Sequence, residues 1–304
     1  MSASGRSTRS FERPVAAGAH PGESHVVKLA FTKMQGAGND FVVIDGVTQS
    51  VDLSTAQLKR IADRRRGIGC DQILVLTPPD EPDADFRYTI YNADGSRAGQ
   101  CGNGARCVAR FLREKRLTRK RKLRLLTDGE PLALSFSENG RVFAGLPAPQ
   151  FDPAVIPFSV PELASQYPLE VQGQNLSIGA LSVGNPHAIL MIDDCDAAPV
   201  KTLGPLIESH ERFPDRVNVG FMQIVSRTEV KLRVYERGVG ETEACGSGAC
   251  AAVVHGIALG LLDAAVAVQL PGGKLSVSWD GAEAQVWLGG PTASVFDGTI
   301  SLRD

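Results

Sequence analysis

A short stretch occurs twice in this chain, and the duplication limits its fold more than any other feature. EACGSGACAAVVHG, residues 243–256, sets Cys245 directly before Gly246 and Gly248 and a run of small and apolar residues. QCGNGARCVARF, residues 100–111, repeats the order cysteine, glycine, polar residue, glycine, alanine around Cys101, 144 positions earlier. The agreement extends upstream. Tyr91 and Tyr235 each stand ten residues before their cysteine, followed by Asn92 and Glu236. Asn39 and Asn185 precede the cysteines by 62 and 60 residues, in GNDFVVID (38–45) and GNPHAILMID (184–193). Landmarks in one order at nearly constant offset mark a duplicated unit, and two copies predict a pair of similar domains facing each other.

Each copy predicts a helix whose first turn opens at a thiol. The N–H groups at a helix start attract anions, and they favour a thiolate over a thiol. Gly246 and Gly248 let another molecule approach that backbone closely. Downstream of Cys245, residues Ala251, Ala252, Val253, Val254, Ile257 and Leu259 leave no polar face, so this helix is expected to be buried. Two such helix mouths aimed at one carboxylate suit a demanding reaction. The hydrogen on a carbon next to a carboxylate is a very weak acid, and its removal needs strong stabilisation of the developing charge by fixed N–H donors. With one sulfur on each side of that carbon, one removes a proton and the other delivers one to the opposite face, inverting the centre.

At 304 residues the chain is expected to form two domains. A net charge of −2 gives no electrostatic reason for a nucleic-acid or membrane partner, and no apolar run approaches a membrane span. The six cysteines show no C-x-x-C or metal-ligand spacing, so free thiols in a reducing, cytoplasmic compartment are expected, with no metal and no redox centre. The glycine-rich turns match neither dinucleotide nor P-loop patterns, and no cofactor is implied. Cys70, Cys107, Cys195 and Cys250 are read as packing residues, as are His210 and His255. Nine basic residues crowd positions 110–124; without interleaved aromatics they read as a solvated helix end rather than a nucleic-acid patch.

Along the chain, residues 1–27 read as an extension. Strands are predicted at 28–34, 41–45, 73–76, 86–92, 122–127, 131–136 and 141–145. Helices are predicted from Ser54 to about Arg66 and from Cys101 to about Arg116, where Lys115 and Arg116 suit the negative end. The Pro-rich stretch 147–161 reads as an interdomain linker. The second half mirrors the first, with strands near 177–183, 187–192, 217–225, 229–236, 266–270, 274–279, 283–288 and 292–301 and helices at 200–210 and after Cys245. Short strands with one long buried helix per half give an α+β class.

The motifs KMQGAGNDFVVID (33–45), GCDQ (69–72), YNADGSRAGQCGNGARC (91–107), GNPHA (184–188), VNVGF (217–221) and YERGVGETEACGSGA (235–249) closely resemble those of diaminopimelate epimerases, from about Lys28 to the C-terminus. The resemblance implies a pyridoxal-independent isomerase that interconverts LL- and meso-diaminopimelate for lysine and peptidoglycan synthesis. It also implies two pseudo-symmetric domains, each a mixed, barrel-like sheet wrapped around a central hydrophobic helix. These would span 28–146 and 147–290, with the last strand, 291–304, returning to the first. By the same resemblance Cys101 and Cys245 are the acid and base. The carboxylate cradle falls on Gly102, Asn103, Gly246 and Ser247. Further substrate contacts fall on Asn39, Gln72, Asn92, Asn185, Asn218, Glu236 and Arg237, amides and charges suited to a substrate with two amino-acid ends. His187 and Glu236 match positions that adjust the thiols. A homodimer is implied, with Phe296 at a contact position that is tyrosine in the family. A proline or hydroxyproline racemase, which also pairs two cysteines, and a thiol-redox protein on the same fold are the alternative readings.

Overall fold

The structure, a computed structural model, describes residues 26–99, 101–281 and 283–303. Its first half runs β1 (Val26–Gly36), β2 (Asn39–Asp45), α1 (Thr55–Ala62), β3 (Gln72–Thr77), β4 (Phe86–Asn92), β5 (Arg97–Ala98), α2 (Gly102–Glu114), β6 (Lys122–Leu126), β7 (Leu132–Phe136) and β8 (Val142–Leu146). The second half runs β9 (Tyr167–Val171), β10 (Gln174–Ser182), β11 (Pro186–Met191), α3 (Val200–Glu208), β12 (Asn218–Ser226), β13 (Glu229–Glu236), β14 (Gly240–Thr242), α4 (Gly246–Ala258), β15 (Ala265–Leu270), β16 (Gly273–Ser278) and β17 (Val286–Gly289). The closing strand is β18 (Ala293–Arg303).

Strand pairing repeats between the halves. In the first, β18, β1, β2, β3, β4, β6, β7 and β8 lie side by side. In the second, β9, β10, β11, β12, β13, β15, β16 and β17 do so in the corresponding order. Parallel steps fall at matching places, β2–β3 and β4–β6 in one half and β11–β12 and β13–β15 in the other. The equivalent strands β8 and β17 pair antiparallel and join the two halves into one mixed sheet.

The parallel steps need crossover connections, and α1 and α3 supply two of them while α2 and α4 supply the others. Each half-sheet is therefore covered on both faces, which explains why its inner strands read as continuous apolar runs. Strand alternation divides the load: β2 sends Phe41 and Val43 to the core around α2, and Val42 and Ile44 to the core around α1. In the second half Ile189 of β11 faces the α4 core, while Ala188 and Leu190 face the α3 core. The fold is α+β, with a hydrophobic helix wrapped by sheet in each half, as the sequence predicts.

Several predicted boundaries move. The extension expected over 1–27 lies outside the described residues except for Val26 and Val27, which open β1 and pair with Arg303 and Leu302. Helix α1 starts at Ser54 with a reciprocal capping box, yet stops at Ala62 instead of Arg66. There the Asp63 carboxylate turns back to accept the N–H groups of Arg65 and Arg66. Helix α2 ends at Glu114 because Arg116 takes a left-handed φ of 59°. Lys115 turns to Asp297, 2.7 Å away. Within the stretch 147–161, Ile156 and Phe158 are buried, and Phe158 stacks on Phe213 and meets Tyr167 edge-on. Tyr167 opens β9, a strand that sequence reading misses. Pro168 argues against a strand interior, but among the described residues β9 pairs with β10 alone, and an edge strand tolerates proline.

The basic run is tied down locally. Arg110 pairs with Glu114, Lys120 with Asp85 and Arg124 with Glu81, and Arg113 lies over the Phe136 ring. Among the described residues no helix is long and apolar enough to cross a membrane.

Candidate active site

Cys101 and Cys245 occupy the same structural position. Each is the N-cap of its central helix, in extended backbone, and each sulfur accepts the N–H three residues on: Gly104 N at 3.3 Å and Gly248 N at 3.4 Å. A cysteine here does what serine or aspartate does at an ordinary N-cap, with a sulfur that is also reactive.

The two helix starts converge. A Cβ built on Gly102 would sit 3.2 Å from Leu288 Cδ2, and one on Gly246 would sit 2.8 Å from the same carbon and 3.4 Å from Asn103 Oδ1. Leu288 belongs to β17, the strand that joins the halves. Both mouths open on one cavity of about 1500 Å3. Of the residues singled out from sequence, Asn39, Gln72, Asn92, Cys101, Gly102, Asn103, Asn185, Glu236, Arg237, Cys245, Gly246 and Ser247 line it. His187 and Asn218 do not.

Those two sit one layer behind. His187 is fully buried, and its Nε2 is 2.9 Å from Asn185 Oδ1. Burial, helped by the nearby Arg237 charge, holds its pKa down at about 3, so the ring is neutral. A neutral ring facing a carbonyl oxygen must donate from Nε2, which turns the Asn185 amide nitrogen toward Ser247 Oγ, 3.4 Å away. His187 therefore orients Asn185, which in turn faces Ser247. Asn218 donates to the Pro186 carbonyl and accepts the Arg237 N–H, bracing the Glu236–Arg237 turn.

On the other side Gln72 and Asn92 face each other across β3 and β4, joined by a 3.1 Å hydrogen bond. Asn39 accepts from Asn103 Nδ2 at 2.8 Å and donates to Asp71. Asp71 and Asp40 share Arg64, and Lys33 bonds both Asp40 and the Gly69 carbonyl. These charges lock together the two loops that carry Asn39 and Gln72. The Arg64 guanidinium and Lys33 ammonium hold the Asp40 carboxyl well below its usual range against the effect of burial. Sequence reading misses this lattice, and misses Leu288 and Thr242, because nothing in their local pattern marks them.

In this cavity burial opposes the helix starts. It pushes both thiols up, while the Gly104 and Gly248 N–H groups pull them down without winning. Burial thus outweighs the helix starts at both sulfurs. The two sulfurs differ, however. Cys101 is half-buried and feels the Arg106 guanidinium, whereas Cys245 is 4% exposed and is raised, after burial, chiefly by the Glu236 carboxylate. Glu236 is itself raised by burial and accepts a hydrogen bond from Thr242 Oγ1.

Comparison with known proteins agrees with this geometry. The sequence model of the family described as diaminopimelate epimerase matches residues 31–147 and 179–293. The chain is 52% identical over 276 residues to a diaminopimelate epimerase of Teredinibacter turnerae and 54% identical over 276 residues to one of Nitrosomonas europaea. Each alignment covers 91% of this chain and all of the relative. Among solved structures, a hydroxyproline epimerase from Agrobacterium vitis superposes with a TM-score of 0.63 at 15% identity, over 91% of this chain and 93% of that one. A PhzF-family phenazine biosynthesis protein of Bacillus anthracis gives 0.63 at 18% identity, over 90% and 99%. The structural likenesses show a shared fold; the sequence matches go further. The chain belongs to the diaminopimelate epimerase family.

Proposed function

We propose that the chain interconverts LL- and meso-2,6-diaminopimelate by pyridoxal-independent proton exchange at one α-carbon, with Cys101 and Cys245 as the two acid–base groups. The observation that carries this reading is the convergence of two cysteine-capped helix starts on one cavity. Family membership supports the substrate.

The substrate α-carboxylate accepts N–H groups of Gly102, Asn103, Gly246 and Ser247, where both helix dipoles favour negative charge. The Cys101 thiolate takes the α-proton from one side, and the C–H electron pair passes toward the carboxylate held by those donors. The Cys245 thiol gives its proton to the opposite face. Cys101 ends as thiol and Cys245 as thiolate, and the reverse reaction starts from that state. Cys101 is the readier thiolate because it is the more exposed of the two residues and has a guanidinium nearby. Glu236 raises both thiols. A substrate ammonium bound beside it cancels that repulsion, so substrate arrival itself favours ionisation. Asn39, Gln72, Asn92, Asn185 and Arg237 offer the donors, acceptors and positive charge that the rest of a double zwitterion requires, with Asn218 and His187 holding them in place.

The cavity of about 1500 Å3 is larger than the 300–1000 Å3 or so of ordinary ligand pockets. Water-free chemistry calls for the halves, 28–146 with 291–304 and 147–290, to close as domains on the substrate. Phe296 and Val295, 49% and 57% exposed on edge strand β18, fit the homodimer contact expected there. Six free cysteines fit a cytoplasmic setting.

Incubation in D2O with LL-diaminopimelate and, separately, with L-proline tests the reading. Deuterium is expected at the α-carbon of meso-diaminopimelate and not in proline; label entering proline alone would overturn it.

A further inference from the structure

Arg106 is the largest fully buried side chain, at 0% exposure, and it lies one turn into α2 beneath the Cys101 helix mouth. Among the described residues no carboxylate pairs with it, and its Nε has no hydrogen-bond partner. Its other nitrogens point toward the mouth: Nη2 donates to Asn103 Oδ1 at 2.8 Å and Nη1 approaches the Gly102 carbonyl at 3.4 Å. The groups of ionisable type that act on it are the thiols of Cys101 and Cys107 on its own helix and of Cys250 on α4. Burial pushes Cys107 and Cys250 up to about 12, so both are neutral. A buried guanidinium without a counter-ion is strongly unfavourable, and it persists only where something else offsets it.

We infer that Arg106 is a positioning residue for the reaction, a fixed cation under the two helix mouths whose counter-ions are the substrate carboxylate and the Cys101 thiolate. This rests on the reading of the cavity given above. Two effects follow from the geometry. Because Arg106 claims Asn103 Oδ1, the amide nitrogen of Asn103 must face Asn39 Oδ1, and Asn39 Nδ2 then faces Asp71, so one buried cation sets the polarity of an amide chain along the cavity wall. Asn103 Oδ1 is also 3.4 Å from the Cβ position of Gly246, so the same cation reaches the second mouth. The charge itself favours the anionic form of Cys101 against the groups that oppose it there, the Glu236 carboxylate of β13 and the apolar burial shared with Tyr88 of β4.

The test compares wild type with Arg106→Met, Arg106→Gln and Arg106→Lys. Iodoacetamide alkylation of Cys101, read by peptide mass spectrometry across pH, gives its ionisation without substrate; kcat and KM for diaminopimelate are measured in parallel. In the folded neutral variants the Cys101 titration is expected to move up by about one unit, so alkylation at a fixed pH below it slows roughly tenfold, with a higher KM. Arg106→Lys is expected to restore the titration while leaving KM raised, because an ammonium lacks the guanidinium fork. Unchanged Cys101 titration in a folded neutral variant would overturn the inference. Failure of both neutral variants to fold while Arg106→Lys folds would also overturn it, since the charge would then serve the fold. If wild type does not turn over diaminopimelate, the proposed function fails, and the alkylation series still judges Arg106.

Discussion

Gly102 and Gly246, the first residues of the two central helices, both face a single methyl group, Leu288 Cδ2, which a Cβ on either would approach to 3.2 and 2.8 Å. Through that contact the duplication in the sequence becomes a site. Two copies of a cysteine-capped helix would be two unrelated thiols unless something held their mouths together, and β17 does so because it pairs with its counterpart β8 at the seam.

Gly246→Ala places a Cβ 2.8 Å from Leu288 Cδ2, closer than carbon atoms pack. Either the buried Leu288 side chain or the mouth must shift, which is expected to cost about 1–3 kcal/mol of stability and to lower kcat/KM by up to about 10²-fold. Leu288→Ala in the same chain is expected to recover part of both. A double-mutant cycle with kinetics and thermal unfolding checks the coupling; strictly additive effects would show that the contact does not matter.

Cys101→Ala and Cys245→Ala are each expected to lower epimerisation by on the order of 10²–10⁴-fold, with the fold retained. Each cysteine caps its helix through one long N–H···S bond, so the loss of stability should be no more than about 1 kcal/mol. Turnover followed by chiral chromatography, with circular dichroism for the fold, decides it.

The pH behaviour of the thiols has a definite order. Both are raised by burial, so the thiolate fraction of each grows only as pH climbs through the alkaline range. Cys101, half-buried and near Arg106, is expected to be alkylated faster than Cys245 at every pH, and kcat/KM is expected to keep rising above neutrality. Faster labelling of Cys245 would reverse the assigned roles.

Acid stability should report His187. Its pKa is about 3 in the folded protein, so between pH 6.5 and 3 the unfolded chain binds a proton that the folded one does not. The stabilisation is complete above pH 6.5 and is lost progressively as pH falls toward 3, by roughly 2 kcal/mol at pH 5. His255, held at about 4 by burial, acts in the same direction. His187→Gln is expected to remove its share of this slope, as read by urea unfolding at pH 5 and pH 7.

Most of the fold was legible because its signal is local and repeated. Apolar runs gave the inner strands, and Cys-Gly-x-Gly-Ala gave both helix starts. Features that depend on remote partners were not legible. Strand β9 hides behind Pro168, which is harmless only at an edge. Ile156 and Phe158 look like linker residues until Phe213 and Tyr167 close over them. In the site, the cysteines and amides are marked by their motifs, but the charge lattice of Lys33, Asp40, Arg64 and Asp71 that holds Asn39 and Gln72 is not. GNPHA marks His187, but not that its ring packs behind Asn185 and bonds its amide oxygen. Arg106 carried a signal that went unused: an arginine on the buried stretch of a helix that opens at a thiol.

The central claim is that two sulfurs serve one carbon from opposite sides. Its most direct test starts the reaction from LL-diaminopimelate in D2O and samples the first few per cent of turnover. The account predicts deuterium at the inverted carbon of the meso product and protium throughout the unreacted substrate, because the group that delivers the proton is not the one that took it. Retention of the original hydrogen in the product, or equal labelling of product and recovered substrate, would mean a single base and would contradict the account.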